Sequence, residues 1–455
     1  MTTPRPLAAI ILAAGQGTRM KSSLHKVLHP IAGKPMLLHL VDSLAALTPE
    51  RTVIVVGARR EQVEAAMAPY DAAIAVQAPQ LGTGHAVQQA EAALAGFSGD
   101  ILILYGDAPL VTANTMARLR DALNGDAISG EVGAVVLGFR PADAGAYGRI
   151  VADGGVIRKM VEFKDASTEE RAVTLCNSGL MAVRSETLFA LLARVGNDNA
   201  AGEYYLPDII GLLIADGAVA RVIETDADEV AGVNSRAELA SLESVWQARR
   251  RALAMADGVT LIDPGSVFFA HDTHVADDVT IEPFVVFGPR VTVATGTTIH
   301  AHSHVEGATI GEDCRVGPFA RLRPGTVLGA GARIGNFVET KKAVLGVGAK
   351  ANHLTYLGDA TIGAGANIGA GTITCNYDGF FKYPTVIGAG AFIGSNSALV
   401  APVVIGNGAI VAAGSTITAD VAADALALVR PPQTAKPGWA AAFRTAMTAR
   451  KRGQV

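Results

Sequence analysis

Ile387-Gly-Ala-Gly-Ala-Phe-Ile393-Gly-Ser-Asn-Ser-Ala-Leu399-Val-Ala-Pro-Val-Val-Ile405-Gly-Asn-Gly-Ala-Ile-Val411-Ala-Ala-Gly-Ser-Thr-Ile417 carries an aliphatic residue at every sixth position without error. The same register runs earlier through Val275, Ile281, Phe287, Val293, Ile299 and Val305, takes one five-residue step, and resumes at Ile310, Val316, Leu322, Leu328 and Ile334. Gly follows the key residue after Ile310, Ile334, Ile362, Ile368, Ile393 and Ile405. A hexapeptide period is the mark of a parallel β-helix, in which each short strand turns one aliphatic side chain inward and each corner needs a small residue. Three hexapeptides close one coil, so a prism with three flat faces is expected, a shape suited to association about a threefold axis. The period breaks between Thr374 and Val386, where Cys-Asn-Tyr-Asp-Gly-Phe-Phe-Lys-Tyr-Pro intervenes. In a regular solenoid such an insertion becomes a loop on the binding face.

Upstream, from Leu7 to about Asn234, the rhythm is different. Strands are expected at Ala8 to Leu12, Thr52 to Val56, Ile74 to Gln77, Ile101 to Leu104, Gly133 to Phe139 and Leu180 to Val183, with helices at Pro35 to Leu47, Thr83 to Leu94 and Ala113 to Leu123. Alternation of this kind reads as a parallel sheet covered by helices, an open, Rossmann-like α/β domain. Its ligands belong at the carboxyl ends of the strands, in the loops after Leu12, Gln77 and Leu104. Ser235-Arg-Ala-Glu238 has the form of a capping box, after which Leu239, Leu242, Trp246 and Leu253 fall on one helical face until Asp257-Gly258. The expected organisation is therefore residues 1–235 as the α/β domain, 236–257 as a linker helix and 258–455 as the solenoid with its tail. The helix reads equally well as the last helix of the first domain.

Composition narrows the function. The chain has 455 residues, 50% of them hydrophobic and 18% charged, with a formal net charge of −4, so disorder and non-specific nucleic-acid binding are not expected. Cys176, Cys314 and Cys375 are too scattered for a disulfide framework or a thiolate zinc site, which fits a reducing cytosol and a cytoplasmic protein. The apolar stretch from Leu7 to Gly15 is too short and too soon followed by polar residues for a secretory signal, and no run suits a membrane helix. The 50 glycines fit a body built from tight, repeated turns.

Directly after the first strand comes Leu12-Ala-Ala-Gly-Gln-Gly-Thr-Arg-Met20, with Lys26 following. It is neither a Walker A loop nor a full dinucleotide fingerprint. Gly15 and Gly17 let backbone N–H groups approach a triphosphate, while Arg19 and Lys26 would offset charge on a departing pyrophosphate. The loop resembles that of the sugar-phosphate nucleotidyltransferases. Gln77-Ala-Pro-Gln-Leu-Gly-Thr-Gly-His85, Tyr105-Gly-Asp107, Tyr147-Gly148-Arg-Ile, Val161-Glu162, Asn177-Ser-Gly and Gly232-Val-Asn234 tighten the likeness. Together with the solenoid they resemble the family of bifunctional enzymes that join N-acetylglucosamine-1-phosphate uridylyl transfer to glucosamine-1-phosphate N-acetyl transfer, from about Leu7 to Trp439. The basic end Arg450-Lys-Arg452 lies outside the match, and His25 stands where proline is common.

This resemblance implies a fold, a set of roles and two reactions. The β-helix would be left-handed. Leu12, Ala13, Ala14 and Gly15, with Gln77, Gly82, Thr83, Tyr105 and Gly106, would hold UTP, the Gln offering both donor and acceptor to the uracil edge. Asp107 and Asn234 would bind Mg²⁺ through oxygen, although a strand-end Asp taken alone is more often a cap or turn residue. Gly148, Glu162 and Asn177 would face the sugar. The reaction is in-line attack by the phosphate of N-acetylglucosamine 1-phosphate on the α-phosphorus of UTP, served by Arg19 and Lys26.

In the solenoid the resemblance makes His353 the general base of acetyl transfer, with Arg323 and Lys341 clamping the phosphate of glucosamine 1-phosphate beside Tyr356 and Asn367. Asn376, Tyr377, Ala370, Ser395, Ala413 and Arg430 would serve acetyl-coenzyme A. A homotrimer with acetyltransferase sites between subunits is implied, feeding bacterial wall and lipopolysaccharide assembly. Two further signals carry less weight. His300, His302 and His304 alternate onto one strand face without a further zinc ligand, and Cys375 has no sequence signal of an activated thiolate. A second reading makes the solenoid only an oligomerising scaffold, against which His353 with Arg323 and Lys341 argues. A third, a silent assembly subunit, is opposed by Asp107 and the complete glycine loop.

Overall fold

The computed structural model describes residues 5–125 and 131–453, so the outermost ends of the expected domain bounds lie outside the described residues. The chain forms two compact units, Met1–Arg250 and Arg251–Val455. Among the described residues of the first, eleven strands are β1 (Leu7–Ala13), β2 (Pro30–Ile31), β3 (Lys34–Pro35), β4 (Arg51–Val56), β5 (Ala73–Val76), β6 (Asp100–Tyr105), β7 (Val132–Phe139), β8 (Arg149–Asp153), β9 (Val156–Val161), β10 (Cys176–Arg184) and β11 (Val219–Thr225). All but the β2–β3 pair join one sheet in the order β5-β4-β1-β6-β10-β7-β11-β9-β8. The expected parallel sheet holds for β5-β4-β1-β6 and again for β7 and β11, but β10 runs antiparallel between β6 and β7, and β8–β9 is an antiparallel hairpin. Apolar runs do not encode strand direction, and the hairpin strands, interrupted by Arg149, Asp153, Arg158 and Lys159, do not read as core strands.

Alternate residues of β1 feed two cores. Ala8, Ile10 and Leu12 belong to one, Ala9, Ile11 and Ala13 to the other, because successive strand side chains point to opposite faces. Helices α1 (Met36–Ala45), α2 (Arg60–Met67), α3 (Thr83–Gln88) and α4 (Ala113–Asn124) include three near the expected positions. The expected helix to Leu94 instead ends at Gln88, and Ala92–Leu94 is a separate 3₁₀ turn.

The capping box forms: Glu238 N–H donates to Ser235 Oγ over 3.3 Å and Ser235 N–H to Glu238 Oε2 over 2.9 Å. The helix Arg236–Ala256 follows, with Leu242 buried beside Met20, Met36 and Val233, and Leu239 and Trp246 packed on the same cluster. Leu253 departs from the expected face: it is exposed, and Ala254 is the buried residue of that turn.

The second unit is the left-handed parallel β-helix. Ile281 pairs with Ile299 and Val316 with Ile334, eighteen residues apart in each case, so three hexapeptides do close one coil. Ten strands from Thr260–Leu261 to Leu426–Ala427 make one face; the other two faces share a sheet because Glu339–Leu345 and Tyr356–Ile362 each run around a corner. Every key residue named from Ile281 to Ile417 is buried, whereas Val275, near the open end, is partly exposed. The register also continues unseen through Thr340, Leu345, Ala351 and Leu357 to Ile362 and Ile368, and on to Thr374, all buried. Two Thr and an Ala at inward positions hide the period there. The hydroxyls are satisfied inside: Thr340 bonds Thr326 over 2.9 Å, and Thr374 accepts from Gly358 N–H over 2.8 Å.

Glycine after the key residue has a steric cause. A Cβ on Gly335 would lie 1.9 Å from the Asn352 carbonyl oxygen, and one on Gly394 would lie 2.4 Å from the Ala413 nitrogen. Adjacent coils stack too closely there for any side chain.

Candidate functional site

In the first unit, the residues singled out lie at the carboxyl ends of adjacent strands. Leu12 pairs with Tyr105 across β1 and β6, and Gly106 N–H donates to Leu12 O over 3.0 Å, which sets Asp107 beside the glycine loop. Gly17 takes φ +61°, and a Cβ there would come within 2.6 Å of Lys26 Cβ, so the loop folds directly over Lys26. The Lys26 ammonium lies 2.5 Å from Asp107 Oδ2 and 3.2 Å from Asn234 Oδ1. Two oxygen donors from distant segments thus converge on one cation position. Arg19 is exposed, and no side-chain bond joins it to this group.

Gln77 is buried, with Nε2 2.9 Å from Gly82 O and 3.2 Å from His85 Nδ1. One amide N–H of Gln77 is thus given to the Gly82 carbonyl. Gly82 begins α3 at φ +115°, where a Cβ would lie 2.6 Å from Tyr204 O, and Thr83 Oγ1 accepts from Leu206 N–H over 3.0 Å. Burial pushes the Tyr105 hydroxyl well above the usual phenol range, helped by the charges of Asp107 and Glu162.

A third group gathers Gly148, Glu162 and Asn177. Asn177 N–H donates to Gly148 O over 2.9 Å, its Oδ1 accepts from Gly179 N–H over 2.9 Å, and a Cβ on Gly148 would stand 3.1 Å from Glu162 Oε1. Burial, then Asp208 and Asp165, raises the Glu162 carboxyl above its ordinary range.

In the solenoid the period places residues of successive coils side by side. Arg321 pairs with Glu339 and Lys341 with Gly358, so Arg323 and Lys341 occupy equivalent positions on neighbouring coils. Arg323 is held by Glu339 over 2.8 Å. His353 Nδ1 lies 3.0 Å from Asn336 Oδ1, its partner in register. Asn376 donates to Asp359 over 2.5 Å, and a Cβ on Gly358 would meet the Tyr356 hydroxyl at 2.4 Å and Asn376 Nδ2 at 2.8 Å. Ala370, Ser395 and Ala413 form one column: Asn396 N–H donates to Ala370 O, Gly414 N–H to Ser395 O, and Arg430 Nη1 reaches Ala413 O over 2.6 Å. Asn367 pairs with Lys350 on the face that also carries Asn336 and His353, and Tyr377 is exposed, its hydroxyl on Gly379 O.

Two residues missed in the sequence belong to this cluster. Asn336 is one, legible only once coil register is known. Lys382 is the other: carried by the insertion, its nearby charge, with burial and Arg323, lowers the Lys341 ammonium below its ordinary value.

The histidine expectation is corrected. The chain turns at His302, so His300, His302 and His304 do not share one strand face; His300 bonds Glu282 over 2.9 Å. Among the described residues no three His, Cys, Asp or Glu side chains gather as a metal site, and no helix is long and apolar enough to cross a membrane.

The model of a MobA-like NTP transferase domain matches residues 9–166, and that of the bacterial transferase hexapeptide (six repeats) matches residues 307–342 and 384–419. "Bifunctional protein GlmU" of Sphingopyxis alaskensis is 64% identical over 446 residues, covering 98% of each chain. The chain belongs to the GlmU family. The GlmU protein of Rhizorhabdus wittichii is 65% identical over 99% of both chains, and that of Zymomonas mobilis 57% identical over 98% of this chain and 99% of the relative. As a GlmU-family member the chain is a bifunctional enzyme of UDP-N-acetylglucosamine biosynthesis, a nucleotidyltransferase and an acetyltransferase in one polypeptide. Nucleotidyl transfer in this family calls for a divalent metal, and the oxygen pair of Asp107 and Asn234, facing one cation position, suits such an ion.

Proposed function

We propose that the solenoid acetylates glucosamine 1-phosphate and that the α/β domain, within residues 1–235, then uridylylates the product, with 236–257 as the connecting helix and 258–455 as the acetyltransferase domain. The observation that carries this reading is the presence in one chain of both polar centres, Lys26–Asp107–Asn234 and His353 with Arg323, Lys341 and Lys382.

For acetyl transfer, Asn336 Oδ1 accepting from His353 Nδ1–H leaves Nε2 as the basic atom. Arg323 and Lys341, with Lys382, offer cationic donors to the sugar phosphate. The amine attacks the thioester carbonyl, a C–N bond forms, the C–S bond breaks, and the amine proton passes to His353 Nε2. Tyr356 and Asn367 stand for sugar contacts. Asn376 and Tyr377, with the column Ala370, Ser395, Ala413 and Arg430, stand for the acetyl-coenzyme A groove, the small residues admitting the pantetheine arm.

For uridylyl transfer, Leu12 to Gly15 with Gln77, Gly82, Thr83, Tyr105 and Gly106 hold the nucleotide, while Gly148, Glu162 and Asn177 face the sugar. Asp107 and Asn234 would hold Mg²⁺, which supplies charge neutralisation at the phosphates when bound. The sugar-phosphate oxygen bonds to the α-phosphorus as the bond to the β-phosphate breaks, and Lys26 and Arg19 meet the negative charge of the leaving pyrophosphate. We take the enzyme as a cytoplasmic homotrimer with acetyltransferase sites between subunits. Exposed, stacked Phe284, His302, Phe319 and Phe337 give a neighbouring copy an apolar ridge to cover.

The test follows thiol and pyrophosphate separately in protein given glucosamine 1-phosphate, acetyl-coenzyme A, UTP and Mg²⁺. His353→Ala is expected to release thiol at background rate yet form pyrophosphate from N-acetylglucosamine 1-phosphate, and Asp107→Ala the reverse. Wild-type protein that releases no thiol would reduce the solenoid to a scaffold.

A further inference from the structure

Arg149, the third residue of Tyr147-Gly148-Arg149, is almost fully buried at 2% exposure, yet it forms no ion pair among the described residues. A buried guanidinium without a counter-ion is costly unless its donors are well satisfied. Here they are spent on backbone carbonyls. Nη1 reaches Ala144 O at 3.3 Å and also Tyr147 O, Nη2 reaches Gly145 O at 3.1 Å, and Nε reaches Arg171 O at 3.3 Å. The guanidinium carbon lies 5.3 Å from the centre of the Phe163 ring, over which Arg171 also stacks at 4.7 Å.

Apart from the Arg171 carbonyl, these contacts have one thing in common: each ends within a few residues of a group that faces the sugar in the reading above. Residues 144–147 run directly into Gly148. Phe163 follows Glu162, and Arg149 pairs with Val161 just before it. Cys176, opposite Arg149 in β10, precedes Asn177. The rigid fork of arginine can hold several carbonyls at fixed angles, which a lysine ammonium cannot do.

We propose that Arg149 is a positioning residue of uridylyl transfer: by fastening the 144–147 segment and the Phe163 ring to one planar group, it sets the spacing of Gly148 and Glu162 around the sugar, and through the Asn177 N–H bond to Gly148 O that of Asn177. The inference rests on the assignment of those three residues to the sugar. It concerns the sugar phosphate alone, because no Arg149 contact reaches the glycine loop or the Gln77 loop.

The experiment measures KM for N-acetylglucosamine 1-phosphate and for UTP, and kcat, in wild type, Arg149→Met, Arg149→Lys and Phe163→Leu full-length protein, with acetyl transfer as an internal reference. Arg149→Met is expected to raise the sugar-phosphate KM by about tenfold or more with the UTP KM within about twofold, since misplaced contacts lose binding of the group they touch. Arg149→Lys should recover only part of the loss, and added guanidinium should lower the sugar-phosphate KM of Arg149→Met. Phe163→Leu, which removes the ring but none of the hydrogen bonds, should move the same constant less, and it decides the matter should Arg149→Met not fold. Equal rises in both KM values, or none, would overturn the proposal. Wild-type protein inert toward N-acetylglucosamine 1-phosphate would instead overturn the sugar assignment beneath it.

Discussion

Lys26 occupies the position between Asp107 and Asn234 where a cation is needed, and His353 is aligned by a single amide, so both centres depend on contacts of one side chain. Removing the amide leaves the imidazole free to rotate. Asn336→Ala should therefore lower kcat of acetyl transfer by about 10- to 100-fold while leaving KM nearly unchanged, as expected when orientation of a base is lost. Steady-state thiol release checks this. A second residue-scale expectation concerns His25 and His29. Both are buried, neither His25 ring nitrogen has a hydrogen-bond partner, and burial, then Lys26, Arg59 and His29, keeps His25 neutral below the ordinary value of 6.5. Burial, then Arg236, does the same for His29. The unfolded chain takes up these protons as pH falls through about 6.5 and the folded chain resists, so stability is lost on going below that pH and is unaffected above it. Thermal unfolding of full-length His25→Gln between pH 7 and 5 should show a shallower fall than wild type.

At the scale of the element, the solenoid is a stack in which the tolerance of a glycine depends on which of two positions it occupies. Gly335 sits where a Cβ would strike the next coil, whereas Gly348, at φ +67°, has nothing within 4 Å. Gly335→Ala should cost about 3 kcal/mol or more through forced displacement of backbone, and Gly348→Ala only about 1 kcal/mol of left-handed strain. Denaturant unfolding of the two variants checks the contrast. Gly335 also precedes Asn336, so its substitution should depress acetyl transfer and leave uridylyl transfer intact. The six-residue period was legible wherever Ile, Val, Leu or Phe stood inward. It faded from Thr340 to Leu357 because that segment sets Thr and Ala among its interior residues while its outer side carries His353, Lys341 and Tyr356. In the sheet, β8 and β9 escaped notice because Arg149–Asp153 and Val156–Val161 carry charged residues on a half-exposed edge.

For the whole molecule, the proposed trimer makes the two activities differ in their dependence on concentration. Acetyl-transfer specific activity should fall on dilution below the trimer's dissociation range, while uridylyl transfer, complete within one chain, should not. Phe319→Asp, which puts a charge into the exposed aromatic ridge, should move the acetyl-transfer loss to higher protein concentration. Parallel assays across a dilution series with light scattering decide it.

By itself the amino-acid sequence determined the two architectures, the order in which they follow one another, and the side chains that hold both polar centres, because hydrophobic periodicity and local loop chemistry are properties of neighbouring residues. Tertiary structure alone decided which of those side chains meet. Strand direction brought β10 antiparallel between β6 and β7, carrying Asn177 to Gly148 and Arg149. Coil register set Asn336 against His353, and the insertion delivered Lys382 to Lys341. Such meetings join residues far apart in the chain, and their geometry is set by packing rather than by any pattern along it.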